Sequence, residues 1–122
     1  MSIPLHPSQL AAMYDCLREF PPFKKWKLPP GDEVEFHVLR TRAYYGDHSR
    51  WDHGAKAGTH VIRVSRARVG HFNTLAQVVA HEMVHMRQRQ NRTETPNTQH
   101  NAEFWGIANN ICAIHGWDER VF

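Results

Sequence analysis

The chain has 122 residues, 41% of them hydrophobic, which predicts one domain with a single modest core and leaves no room for two. Its two cysteines, Cys16 and Cys112, are too few for a disulfide framework and form no C-x-x-C pair, so both are expected to be buried thiols in a reducing compartment. No apolar run approaches the ~20 residues that span a bilayer, and the stretch from Met1 to Phe20 carries Asp15, Arg18 and Glu19 with no apolar signal core; a membrane protein and a signal peptide are excluded, and a cytoplasmic location is expected.

In chain order, Ser8 is a candidate N-cap for a helix over about residues 9–19, with Leu10, Met13, Tyr14 and Leu17 at helical spacing. Pro21-Pro22 ends it. The stretch to Pro29-Pro30-Gly31 reads as a connection containing the basic patch Lys24, Lys25 and Lys27, in which Trp26 either anchors the loop by packing, the preferred reading, or contacts a partner. Residues 33–45 and 60–65 have the alternating or β-branched character of strands, with Gly46, Gly54 and Gly58 between them, and are read as an antiparallel pair. A helix is predicted over about residues 74–89, capped by Asn73 or Thr74, because Leu75, Val78, Val79, Met83 and Met86 recur at three- and four-residue steps with no Gly or Pro before Pro96. After the polar loop 91–99, Phe104, Ile107, Ala108, Ile111 and Ile114 mark a last helix. This order predicts an α+β fold, helices packed on a small antiparallel sheet, as one domain over residues 1–122.

The predicted helix 74–89 carries His81-Glu82-Met83-Val84-His85, the H-E-x-x-H pattern of zinc hydrolases. Residues four apart share a helix face, so both imidazoles can reach one ion, and Glu82 lies about 100° round the helix, where it can act as general base toward a metal-activated water. A catalytic zinc usually takes three protein ligands. The metzincin extension would need Gly at position 88 and His at position 91, where the chain has Gln88 and Asn91, so that class is excluded. His100 and Glu103 are both candidates for the third ligand. His37, His48, His53, His60, His71 and His115 have no spacing that links them to the pair and are read as surface or structural residues.

His-Glu-Met-Val-His, a polar connection, then His-x-x-Glu-Phe at the start of a helix resembles the SprT/Spartan family of zinc metalloproteases. The fifteen-residue step from His85 to His100 and the run Val61-Ile62-Arg63-Val64-Ser65 before the helix are similar to that family's arrangement, over roughly residues 34–115. Phe104-Trp105 also resembles the small YgjP-like metallopeptidases, but the longer spacing favours SprT. The resemblance implies a zincin-like fold, one zinc per chain held by His81, His85 and His100, and a polypeptide substrate. The zinc ribbon that often follows the SprT protease domain has no counterpart in these residues, whose two cysteines cannot build a second zinc site.

Charge is unevenly spread. From Arg40 to Arg92, nine Arg and Lys56 against Asp47, Asp52 and Glu82 give +7, interleaved with Tyr44, Tyr45, Trp51 and Phe72, a mixture suited to phosphate contact and base stacking. Arg40, Tyr44, Tyr45, Arg63, Arg66 and Arg68 are therefore candidate substrate- or nucleic-acid-binding residues, and DNA or a DNA-bound protein is a candidate partner. Arg40, Tyr44 and Tyr45 also lie in the strand region from which an oxyanion-stabilising donor could come, with nothing in the sequence to select among them. The expected function is a zinc metalloendopeptidase of broad specificity, its substrate lined up along a sheet edge. Two other classes stay open: a non-catalytic zinc-containing nucleic-acid-binding module, and a zinc amidohydrolase acting on a small substrate.

Overall fold

The computed structural model describes residues 5–122. Its elements in order are α1 (Pro7–Arg18), short 3-10 turns at Phe23–Trp26 and Gly31–Glu33, β1 (Glu35–Leu39), β2 (Gly46–Arg50), β3 (His60–Ser65), α2 (Phe72–Asn91) and α3 (Ala102–His115). Three helices and a small mixed sheet make an α+β arrangement, and α2 packs on α1, β2, β3 and α3 at once.

α1 starts earlier than Ser8 suggests. Pro7 takes the first helical position, where its missing N–H costs nothing, and the His6 side chain accepts from the main-chain N–H of Ser8. Leu10, Met13, Tyr14 and Leu17 are its buried stripe, as the periodicity predicts. Cys16 lies outside that stripe and is exposed, contrary to expectation, while Cys112 on α3 is buried. Trp26 packs: it is buried, the Arg87 guanidinium sits 5.2 Å from its ring centroid, and Gln90 donates to its carbonyl at 3.2 Å.

The antiparallel pair is corrected. β1 runs parallel to β3, and the antiparallel partner of β3 is β2, so the order is β1-β3-β2. β3 is buried along most of its length and needs a partner on each edge. The run 33–45 supplies one of these through Leu39; the chain then crosses over, and residues from Gly46 onward, read from sequence as a connection, form the other. Gly46 permits this because a Cβ there would stand 2.6 Å from the Arg63 carbonyl oxygen and 3.1 Å from Val78 Cγ1, so only glycine lets the start of β2 approach both β3 and α2 this closely.

α2 extends beyond the predicted 74–89 at both ends, from Phe72 to Asn91, and stops at Arg92 in the left-handed region (φ 57°). Leu75, Val78, Val79, Met83 and Met86 all join the core. α3 begins at Ala102 with Asn101 as N-cap, its side chain accepting from Phe104 N–H at 2.9 Å. Phe104, Ala108 and Ile111 are buried, whereas Ile114 is exposed. Among the described residues no helix is long and apolar enough to cross a membrane.

Candidate metal centre

α2 carries His81 and His85 one turn apart, and the residue just before the α3 cap, His100, is folded back against them. One ring nitrogen from each of the three lies within 4.8 Å of the others, and His81 Nε2 and His100 Nε2 are 3.2 Å apart. Two nitrogens bound at ~2.05 Å to one tetrahedral zinc would stand about 3.3 Å apart, which the His81–His100 separation matches. Glu103, the other candidate third ligand, is outside this group: its carboxylate accepts from Gln88 Nε2 at 3.0 Å and from the Thr93 hydroxyl.

Phe104, fully buried, forms the floor. Its ring centroid lies 4.9 Å from that of His81, 4.8 Å from His85 and 4.5 Å from His100. A hydrocarbon ring under three imidazoles leaves them no alternative polar partner on that side and keeps water from behind them. The loop before His100 is tied down by a polar cluster that the sequence reading did not identify. Gln88 Nε2 donates to Asn101 Oδ1 at 2.9 Å, and Asn101 Nδ2 donates to the Thr93 carbonyl at 3.1 Å and to Thr95 Oγ1 at 2.9 Å. The available signal was Gln88 itself, which falls two turns along α2 from His81 on the same face and is buried there.

The electrostatics suit a cation. Burial holds His81 down to about 4, against a hydrogen bond to the Phe122 main-chain oxygen that acts the other way, and burial together with the neighbouring imidazoles holds His85 down to about 3. Burial lowers His100 as well. Neutral imidazoles are the ligating form, so the donor set needs no deprotonation near neutral pH. Burial, and behind it the negative charge of Asp47, push the Glu82 carboxyl up to about 8; a dication among the three rings would act in the opposite sense.

Two cavities open on this cluster and share Gly46, His81, Glu82 and His100. One, of about 720 Å³, is also lined by Tyr44, Tyr45, Thr74, Gln77 and the segment Arg120 to Phe122. The other, of about 390 Å³, runs past β2, including Asp47 and His48, to Arg89 and Glu94. Glu82, only 4% exposed, therefore sits between two openings beside an edge strand. His48 Nε2 and His60 Nδ1 are 2.8 Å apart in a pair of their own, outside the three-histidine group.

The remaining candidates divide. Tyr44 and Tyr45 reach the larger cavity at the site; Arg40, Arg63, Arg66 and Arg68 line neither cavity. Arg63 pairs with both oxygens of Asp47 at 2.7 Å. Arg68 donates to the Arg42 carbonyl at 2.8 Å and lies 5.3 Å from the Tyr45 ring centroid. Arg40 and Arg66 line a separate hollow with Arg42 and Phe72.

In comparisons with known proteins, no family model matches the chain, and no curated protein matches it significantly.

Proposed function

We propose that the chain is a zinc-dependent metallopeptidase acting on extended polypeptides. The observation that carries this is the convergence of His81, His85 and His100, each with a ring nitrogen within 4.8 Å of the others, beside a buried Glu82 that borders two open cavities. His81, His85 and His100 would hold the ion, which when bound supplies Lewis-acid polarisation of the scissile carbonyl and acidifies the attacking water. Glu82 takes the proton from that water and returns it to the leaving amine. β2 is an edge strand, so its outward main-chain groups can pair with an extended substrate and give affinity without demanding a side-chain sequence. Tyr44 and Tyr45 flank the adjoining cavity, where substrate side chains would rest.

The resemblance of His-Glu-Met-Val-His and His100-x-x-Glu103-Phe104 to SprT-type proteases supports the same reading and its zincin-like character. A structural zinc in a nucleic-acid-binding module gives Glu82 no task, since a closed site has no use for a buried base beside it. A small-amide hydrolase has no use for the edge strand beside the site, which offers main-chain pairing to an extended polypeptide. DNA-bound protein as the substrate class is favoured by exposed Tyr44, Tyr45, Trp51 and Phe72 set among the arginines of the +7 segment. The deciding experiment is the zinc content of the purified protein together with its digestion of an unfolded protein, the parent against Glu82→Gln. Absence of both zinc and cleavage would remove the reading.

A further inference from the structure

The segment from Gly116 to Phe122 belongs to no helix or strand, yet it ends against the histidine cluster. Its path is built step by step. Gly116 closes α3 in the left-handed conformation (φ 73°), and Trp117 N–H donates to the Cys112 carbonyl at 3.0 Å. Asp118 then accepts from the Arg120 main-chain N–H at 2.9 Å and from its guanidinium at 3.0 and 2.9 Å, while Val121 N–H donates to the Asp118 carbonyl at 3.2 Å, which turns the chain back. Three rings line up along the turn: His115 stacks on Trp117 with centroids 5.1 Å apart, and Trp117 stacks on Phe122 at 6.3 Å. The Phe122 ring lies 5.5 Å from His81, and the Phe122 main-chain oxygen is 2.7 Å from His81 Nδ1.

A main-chain oxygen, in a peptide carbonyl or in a carboxylate, can only accept, so Nδ1 of His81 must carry the proton. Nε2 then bears the lone pair, and Nε2 is the atom that lies 3.2 Å from His100 Nε2.

We propose that the segment from Gly116 to Phe122 is an outer part of the metal centre, in which the Phe122 main-chain oxygen fixes the tautomer of His81 and aims its Nε2 at the ion. This rests on the metal-centre reading above. Phe122 acts through His81 and is a positioning residue; because its main-chain oxygen does the work, the side chains of Trp117 and Phe122 matter through the stack that holds that oxygen in place. Removing a partner of this kind typically weakens metal binding about 10- to 100-fold.

The test uses the full chain and zinc alone. Zinc affinity is measured by competition with a chromophoric chelator for the parent, for the double variant Trp117→Ala/Phe122→Ala, and for Phe122→Tyr. The His81 tautomer in the zinc-loaded parent is read from long-range ¹H–¹⁵N couplings of the imidazole. The expected result is a parent with His81 protonated at Nδ1, a double variant about 10- to 100-fold weaker for zinc, and Phe122→Tyr close to the parent. A parent that binds zinc with His81 protonated at Nε2 overturns the inference, as does a double variant that binds as tightly as the parent, and either leaves the metal centre standing. A parent that binds no zinc overturns both. Circular dichroism of the zinc-free proteins separates loss of fold from displacement of the Phe122 main-chain oxygen; should the double variant fail to fold, the tautomer in the parent still decides.

Discussion

His81 Nε2 and His100 Nε2 lie 3.2 Å apart although nineteen residues separate them in the chain. The closeness is produced by the Asn101 cap, Gln88 and the Phe104 floor, and it turns a helical pair of histidines into a three-donor cluster. The first expectation follows from it. His100→Ala should lose zinc while Glu103→Ala retains it, as measured by metal analysis after dialysis; the opposite pattern would move the third ligand one turn along and contradict the geometry.

Glu82→Gln should keep both zinc and fold and lose peptide-bond cleavage by about 10²- to 10⁴-fold, since an amide fills the same space but cannot take the proton. Digestion of an unfolded protein at the parent rate would show that another group is the base.

Gln88 is buried and bridges Asn101 and Glu103, so Gln88→Leu should destabilise the protein by about 1–3 kcal/mol and weaken zinc binding as the loop before His100 loosens. Urea unfolding of the zinc-free protein and chelator competition read the two effects separately. An unchanged zinc affinity would mean that His100 is positioned without this cluster.

Burial, then the neighbouring charges, hold His48 down to about 3, and burial together with Arg50 and Arg89 holds His60 down to about 4. Both stay neutral in the folded protein below the pH, about 6.5, at which they protonate when unfolded. The unfolded chain therefore binds more protons between about pH 4 and 6.5, and stability rises with pH across that window and is lost as pH falls. Each such proton contributes a slope of about 1.4 kcal/mol per pH unit. The zinc-free His48→Gln variant should show a shallower slope over this range in urea unfolding; an equal slope would mean that the pair does not stay neutral.

DNA binding, if it serves recruitment, should centre on Arg40, Arg42 and Arg66, which line one hollow with exposed Phe72, rather than on Arg63, which is engaged with Asp47. Affinity for labelled DNA should fall steeply with salt and show little sequence preference. Arg40→Glu/Arg42→Glu/Arg66→Glu should abolish it with zinc retained. No binding by the parent at low ionic strength would leave a protease independent of DNA.

Amphipathic spacing made the helices legible, because a helix face is written in residues three and four apart: Leu10 to Leu17, Leu75 to Met86 and Phe104 to Ile111 are buried as the period requires. The same local geometry put His81, Glu82 and His85 together, while His100 and Glu103 remained alternatives within the residues themselves. What local pattern does not encode is pairing between distant segments. The direction of β1 and the existence of β2 depended on both edges of β3 being filled and on Gly46 admitting a close approach, neither of which alternation reveals. The separation of His100 from Glu103 was decided by which side chain Gln88 and Thr93 engage, across a loop. The contact between Phe122 and His81 is the extreme case, since every residue carries a main-chain oxygen and only the fold determines which one meets the ring.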